Sequence, residues 1–231
     1  VPLSARGTLL GSGIATGRVA PCTAIFMWPT SISRKEIGLN MTRLAGMDAT
    51  NNAAWSAALT ELAHQVEMGV QFLRESVPGF GHSVLADAAY SVGVRETRRI
   101  VGEVTLKDED VRAARHCADG IARGTHHIDI HGAGTTQTRI PVRDGGSYDI
   151  PFGCLVPRSL RNTLVAGRCL SSTRPANGSC RVMGTCLATG QAAGTAAAMF
   201  AAQRTDDFRQ LEVENLRQRL KSQGAVLDGA R

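Results

Sequence analysis

The stretch Asn162 to Gly194, NTLVAGRCLSSTRPANGSCRVMGTCLATGQAAG, constrains the fold more than any other part of the chain. It opens on a short apolar run, Thr163-Leu164-Val165-Ala166, which reads as a strand buried on both faces. The run stops at Gly167-Arg168, where a glycine lets backbone approach a ligand closely. A loop of small and polar residues follows, and a helix of small residues is expected from about Arg181-Val182-Met183. A helix start offers N–H groups without intrahelical acceptors and the positive end of the helix dipole. Apolar strand, glycine turn and close-packing helix are together the parts of a wall against a nucleotide cofactor.

The rest of the composition agrees with a mixed α/β fold. The 231 residues suffice for one large domain or two small ones, and 43% hydrophobic residues supply a core. Aromatic residues are only 4%, which favours close helix–strand packing over an aromatic-rich sandwich. The net charge of +6 raises nucleic acid as a partner. The basic residues are scattered, however, apart from Arg95, Arg98 and Arg99, and few aromatics are present for base stacking. Nucleic acid is therefore not an expected partner, and an anionic cofactor or substrate accounts for the charge at least as well.

The cysteines, Cys22, Cys117, Cys154, Cys169, Cys180 and Cys186, contain no Cys-x-x-Cys pair and match no zinc spacing. They read as small buried thiols in a reducing compartment, so a cytoplasmic location is expected. Cys169 and Cys180 flank the proposed cofactor loop, which leaves a redox or covalent role conceivable. No apolar run reaches transmembrane length, so no membrane span is expected. The sequence begins at Val1, as a processed piece or a fragment would.

Along the chain, Gly11, Gly13 and Gly17 miss the Gly-x-Gly-x-x-Gly spacing of a dinucleotide turn, and Pro21 stops any helix after them. A glycine loop is expected there. Residues 23–28 and 40–45 read as strands. Trp55, Leu59, Leu62, Val66, Val70 and Leu73 recur at helical spacing, predicting a helix over 50–76 capped by Thr50 or Asn51 and stopped by Pro78-Gly79. A shorter helix is expected around Leu85, Ala88 and Ala89, a strand end and then a helix start over Thr105 to Val111 with the helix running to about His116, and a helical turn over Ala118 to Ala122. His126 to His131 reads as a strand with His127, Asp129 and His131 on one face. That face suits a metal, an acid or base at His131, or simple hydration. Residues 132–147 read as a loop or hairpin, Tyr148 to Pro157 as short strands limited by proline, and Leu211, Leu216 and Leu220 as the buried side of a final helix.

The segment Gly93-Val94-Arg95-Glu96-Thr97-Arg98-Arg99-Ile100-Val101-Gly102 places charges inside an apolar bracket, which costs free energy unless they are paired. Glu96 paired to an arginine explains it structurally. Arginines holding a carboxylate or another bound anion explain it functionally.

Several of these motifs together resemble a known family. Ala166-Gly167-Arg168-Cys169, then Ser179-Cys180-Arg181-Val182-Met183, then Gly190-Gln191-Ala192-Ala193-Gly194 are similar to the C-terminal flavin-contacting segment of FAD-dependent oxidoreductases related to the fumarate reductase flavoprotein and glutathione reductase-like folds. Asp48-Ala49-Thr50, Pro78-Gly79-Phe80, the Arg95 segment, Asp129-Ile130-His131 and Ile150-Pro151 follow in the same order, so the resemblance runs from about Asn40 to Leu227. It implies an α/β fold: an α+β substrate part joined to the last strand and helix of a Rossmann-like FAD domain. The expected divisions are an N-terminal loop and strand over 1–39, a substrate-side region over 40–160, the strand–helix part of the FAD domain over 161–204, and a C-terminal helix over 205–231.

The resemblance also implies FAD as cofactor, no metal, and hydride transfer between flavin and a small organic substrate. Gly167, Arg168, Cys169, Arg181, Val182, Met183, Gly184 and Gln191 would contact the cofactor. Arg95, Arg98 and His131 would orient substrate or transfer a proton. No strand–Gly-x-Gly-x-x-Gly–helix unit occurs in the sequence. A separate chain or a missing N-terminal half carrying that unit is therefore expected, along with an oligomer. The alternative is a non-catalytic subunit or binding module that keeps the fold without flavin.

Overall fold

In the computed structural model, which describes residues 3–203 and 205–228, the chain forms two units: Val1–Val94 with His131–Gln137, and Arg95–Ile130 with Thr138–Arg231. Each has its own core, and the whole is a mixed α/β fold built on small sheets.

The first unit begins with β1 (Leu3–Ser4) and α1 (Thr8–Ala15), followed by β2 (Ala24–Ser31), β3 (Glu36–Asn40) and α2 (Asn52–Ser76). The strands form an antiparallel sheet in the order β1-β2-β3. Its core joins Leu10, Val19, Cys22 and Ile25 to Phe72 and Leu73 of α2. The expected glycine loop is thus a helix. Gly13 belongs inside it because any Cβ there would sit 2.4 Å from the Phe72 ring, so the glycine permits close packing of α1 on α2.

Helix α2 matches its expectation closely at both ends. Asn51 caps it, its Oδ1 accepting from the N–H groups of Ala53 and Ala54, and Val77 closes it before Gly79 at φ +91°. The buried stripe, however, is Ala58, Gln65, Gly69, Phe72 and Leu73. Leu59 is exposed, and the buried Gln65 accepts from the Arg43 N–H at 3.0 Å. The second strand falls on 36–40 rather than 40–45. No helix forms around Leu85: residues 81–94 are irregular and mostly exposed, so a helix there would have no packing surface to repay its nucleation.

The second unit holds α3 (Asp108–Arg112), β4 (Gly120–Gly124), β5 (Ile128–His131), β6 (Gln137–Ile140), β7 (Tyr148–Pro151), α4 (Arg174–Cys180), α5 (Met183–Ala201) and α6 (Val213–Ser222). The tip of the β5–β6 hairpin, residues 131–137, is grouped with the first unit. The expected helical turn over 118–122 is instead the start of β4, which pairs antiparallel with β7 through Ala122↔Ile150 and Gly124↔Tyr148. Burial of Ile121 and Ala122 overrides the helical preference of alanine. The expected strand at Thr163–Ala166 has no ladder among the described residues. The run is held by one backbone bond, Val165 N–H to Leu155 O at 2.8 Å. Helix α5 packs on β4 through Ala192 and Ala196, and α6 covers it with Leu216 and Leu220.

Tyr148 is fully buried and lies flush on Gly124: a Cβ at Gly124 would stand 2.3 Å from the ring carbon Cζ. Gly124→Ala is expected to destabilise the second unit by about 1–3 kcal/mol through overpacking, read as an earlier urea midpoint. An unchanged midpoint would show that Tyr148 can move aside.

Candidate functional site

The site grows from one backbone alignment within the second unit. Residues 100–106 run beside 169–173, with Ile100 N–H to Cys169 O at 3.0 Å, Leu106 N–H to Ser171 O at 3.1 Å and Thr173 N–H to Leu106 O at 2.9 Å. This brings the Arg95 segment against the turn at Gly167, whose φ of +75° is the left-handed region that glycine tolerates. The turn is fixed from two helices. Gly167 N–H donates to Thr189 Oγ1 on α5 at 3.1 Å, and Asn177 Nδ2 on α4 donates to Arg168 O at 2.8 Å. Thr173 caps α4, with Pro175 in its first turn, where a missing N–H costs nothing. Val182 then opens α5 with no side-chain cap, so the first N–H groups of a 19-residue helix have no side-chain acceptor.

Charge gathers at this turn. The Glu96 carboxylate takes Arg99 at 3.1 Å, Arg174 at 3.4 Å and Arg181 at 3.5 Å. Arg168 donates to Thr97 Oγ1 at 3.2 Å, and Arg181 Nη2 donates to Asp129 O at 3.0 Å. The Arg181 side chain is only 11% exposed. Burial lowers its pKa first, and the neighbouring Arg95 lowers it further. Arg95 and Arg98 are exposed and pair with no carboxylate among the described residues.

The structure therefore collects Gly167, Arg168, Cys169, Arg181, Val182, Met183, Gly184, Arg95 and Arg98 in one unit, around two neighbouring stretches. Gln191 lies farther along α5, where its Nε2 donates to Gln223 Oε1 at 3.2 Å. His131 belongs to the first unit. There Arg43 Nη1 lies 3.0 Å from His131 Nδ1, and Gln137 Nε2 lies 3.5 Å from His131 Nε2. Glu96, Arg174, Thr97, Asn177 and Thr189 were not among the expected site residues. Glu96 had a visible signal, a single acid amid arginines, whereas Arg174 and Asn177 are brought in only by the folding of α4. Among the described residues no group of three or more His, Cys, Asp or Glu is placed to hold a metal.

The donor set fits an anionic nucleotide cofactor. At Gly184 an added Cβ would meet no atom within 4 Å, and Met183 is 83% exposed, so the approach to the uncapped helix start is open. The N–H groups, the dipole end and the Arg168 guanidinium all favour negative charge there. Asn177 is fully buried and its Oδ1 has no hydrogen-bond partner, an acceptor left unused beside the turn.

The thiols divide by burial. Cys180 is fully buried and its thiol is pushed up from 9.0 to about 12, chiefly by desolvation; Cys154 behaves likewise. Neutral and enclosed, Cys180 has no thiolate with which to form a covalent link. A raised folded pKa contributes stability that is complete below the unfolded value and lost as pH climbs to the folded one. Stability is therefore expected to be level below pH 9 and to fall between pH 9 and 12, measured by urea unfolding, with Cys180→Ala flattening the fall. An equal slope in that variant would contradict the assignment.

Comparison with known proteins agrees with this donor set. No curated protein and no solved structure matches the chain. The family model described as FAD dependent oxidoreductase matches residues 15–220, which covers both units. On that match the chain belongs to the FAD-dependent oxidoreductase family, and its cofactor is FAD.

Proposed function

We propose that the chain forms the substrate side and closing wall of a flavin site that transfers hydride between a small organic substrate and FAD. The observation that carries this reading is the uncapped start of α5 standing after the Gly167 turn, next to arginines in excess of carboxylates. Gly167 would let the backbone pass close to the cofactor, and Arg168 would counter its phosphate charge. The N–H groups of Val182, Met183 and Gly184 would stabilise negative charge developing on the ring. When bound, FAD supplies the hydride acceptor or donor. Arg95 and Arg98, exposed and without carboxylate partners among the described residues, would hold and orient the substrate. His131 would deliver or accept a proton.

A second segment carrying the Gly-x-Gly-x-x-Gly turn, in the same polypeptide or another, completes this reading. Gly184, Gly190 and Gly194 of α5 support it. A Cβ at any of them would meet no atom within 4 Å, so packing among the described residues gives no reason for glycine. Each glycine inside a helix costs about 1 kcal/mol relative to alanine. Close approach of another backbone is the compensation such positions offer.

The test is a visible spectrum of the protein purified with its native neighbours. Flavin bands at roughly 370 and 450 nm are expected, and colourless protein in every preparation would favour a binding module that has lost its flavin. In the coloured protein, His131→Ala is expected to slow flavin reduction by about 100-fold, and Arg95→Ala and Arg98→Ala to raise the substrate concentration required. Unchanged kinetics in any one variant would remove that residue from the mechanism.

A further inference from the structure

We infer that the cavity between β4, α5, α6 and residues 225–227 binds a small neutral molecule with an apolar body and one hydroxyl or carbonyl group, which Ser147 holds. The site lies within the second unit, and none of its wall residues belongs to the Gly167 turn or to the first turn of α5. The inference stands apart from the flavin reading.

The size and the inner wall set the ligand's body. The cavity measures about 330 Å³, at the lower end of the about 300–1,000 Å³ that small-molecule sites occupy. That is room for one ring with a short side chain. Ile121 on β4, Leu220 on α6 and Leu227 are buried and give the cavity an apolar floor, which favours an apolar body over water. The wall on the C-terminal side is anchored: Leu227 is buried, and Asp228 beside it pairs with Arg217 Nη2 at 2.8 Å and with Lys221.

The polar groups of the wall set the rest of the ligand. Ser147 is only 6% exposed, yet its hydroxyl makes no hydrogen bond among the described residues. A closed-in hydroxyl is costly to leave unpaired. A ligand oxygen in the cavity supplies the partner, and a serine hydroxyl can donate to it or accept from it. Charge is not called for. Arg123 is the one charged residue of the wall among the described residues, and its Nε already lies 3.1 Å from Oδ1 of Asp149, a carboxylate only 5% exposed. His116 and the Cys117 N–H each reach that carboxylate at 3.0 Å, and Asp228 acts on Arg123 from the C-terminal side. A charged ligand would shed its water shell with no counter-charge left over to meet it.

The experiment is a ligand-observed NMR titration of the full chain, with and without added FAD, using para-cresol, toluene and para-toluate as probes. Para-cresol is expected to bind, and para-toluate to bind at least about tenfold more weakly. Ser147→Ala is expected to weaken para-cresol about fivefold and to leave toluene unchanged. Because the hydroxyl has no partner in the protein, the same variant should keep the urea midpoint. No binding of para-cresol, equal affinity for para-toluate, or an equal loss of toluene in the variant would overturn the inference. A lowered urea midpoint would also overturn it, by showing that the hydroxyl serves the fold. Displacement of para-cresol by FAD would assign the cavity to the cofactor and overturn the inference while leaving the flavin reading intact.

Discussion

The backbone pairing of residues 100–106 with 169–173 is the constraint on which the second unit's site depends. Neither stretch forms a regular strand, yet their hydrogen bonds fix the Arg95 segment against the Gly167 turn. Leu106 and Leu170 are buried at this seam, so the polar backbone bonds are made in a place where leaving them unmade would be costly. From that seam the chain runs directly into α4 and α5. The charged groups outside are arranged because the apolar groups inside are fixed.

Helix α5 carries two demands at once. Ala192 and Ala196 hold it to β4 with small side chains that allow close packing. Its other faces carry Met183 and Leu187, both exposed, and glycines at which an added Cβ would meet no atom of the described residues within 4 Å. A helix of this composition gains little from its own side chains. Its stability comes from the buried alanine stripe, from Thr189, which ties it to the turn, and from α6 packed on its flank. The first turn is left without a side-chain cap, which leaves a small local cost and an electrostatic opportunity at the same place.

Local signals in the sequence translated well. The α2 cap at Asn51 and its stop before Gly79 depend on neighbours within a turn, and both stand where the sequence puts them. So does the burial of Leu211, Leu216 and Leu220. Signals that depend on distant partners did not translate. Thr163–Ala166 has strand composition, but a strand exists only where a ladder partner is provided. Ala118–Ala122 has helical composition, but β7 is waiting opposite Ala122. Gly13 looked like part of a loop because its reason, the Phe72 ring, lies far along the chain. Within the site, Gly167, Arg168 and Arg181 were legible as a motif. Glu96 paired with an arginine was legible too, and Arg99 is that partner; its reach to Arg181 was not, because Arg181 lies 85 positions away and the sequence alone does not bring it near.

The central claim is that the start of α5 faces the negative part of bound FAD. The direct measurement is FAD affinity, followed by flavin fluorescence, in the Gly184→Asp variant. A carboxylate in the first turn of a helix favours the helix itself by about 0.3–1 kcal/mol, so the fold should be kept or slightly strengthened. The same carboxylate would stand against the cofactor's negative charge, and the account predicts FAD binding weakened at least about tenfold with no loss of thermal stability. Unchanged FAD affinity in a stable Gly184→Asp protein would contradict it.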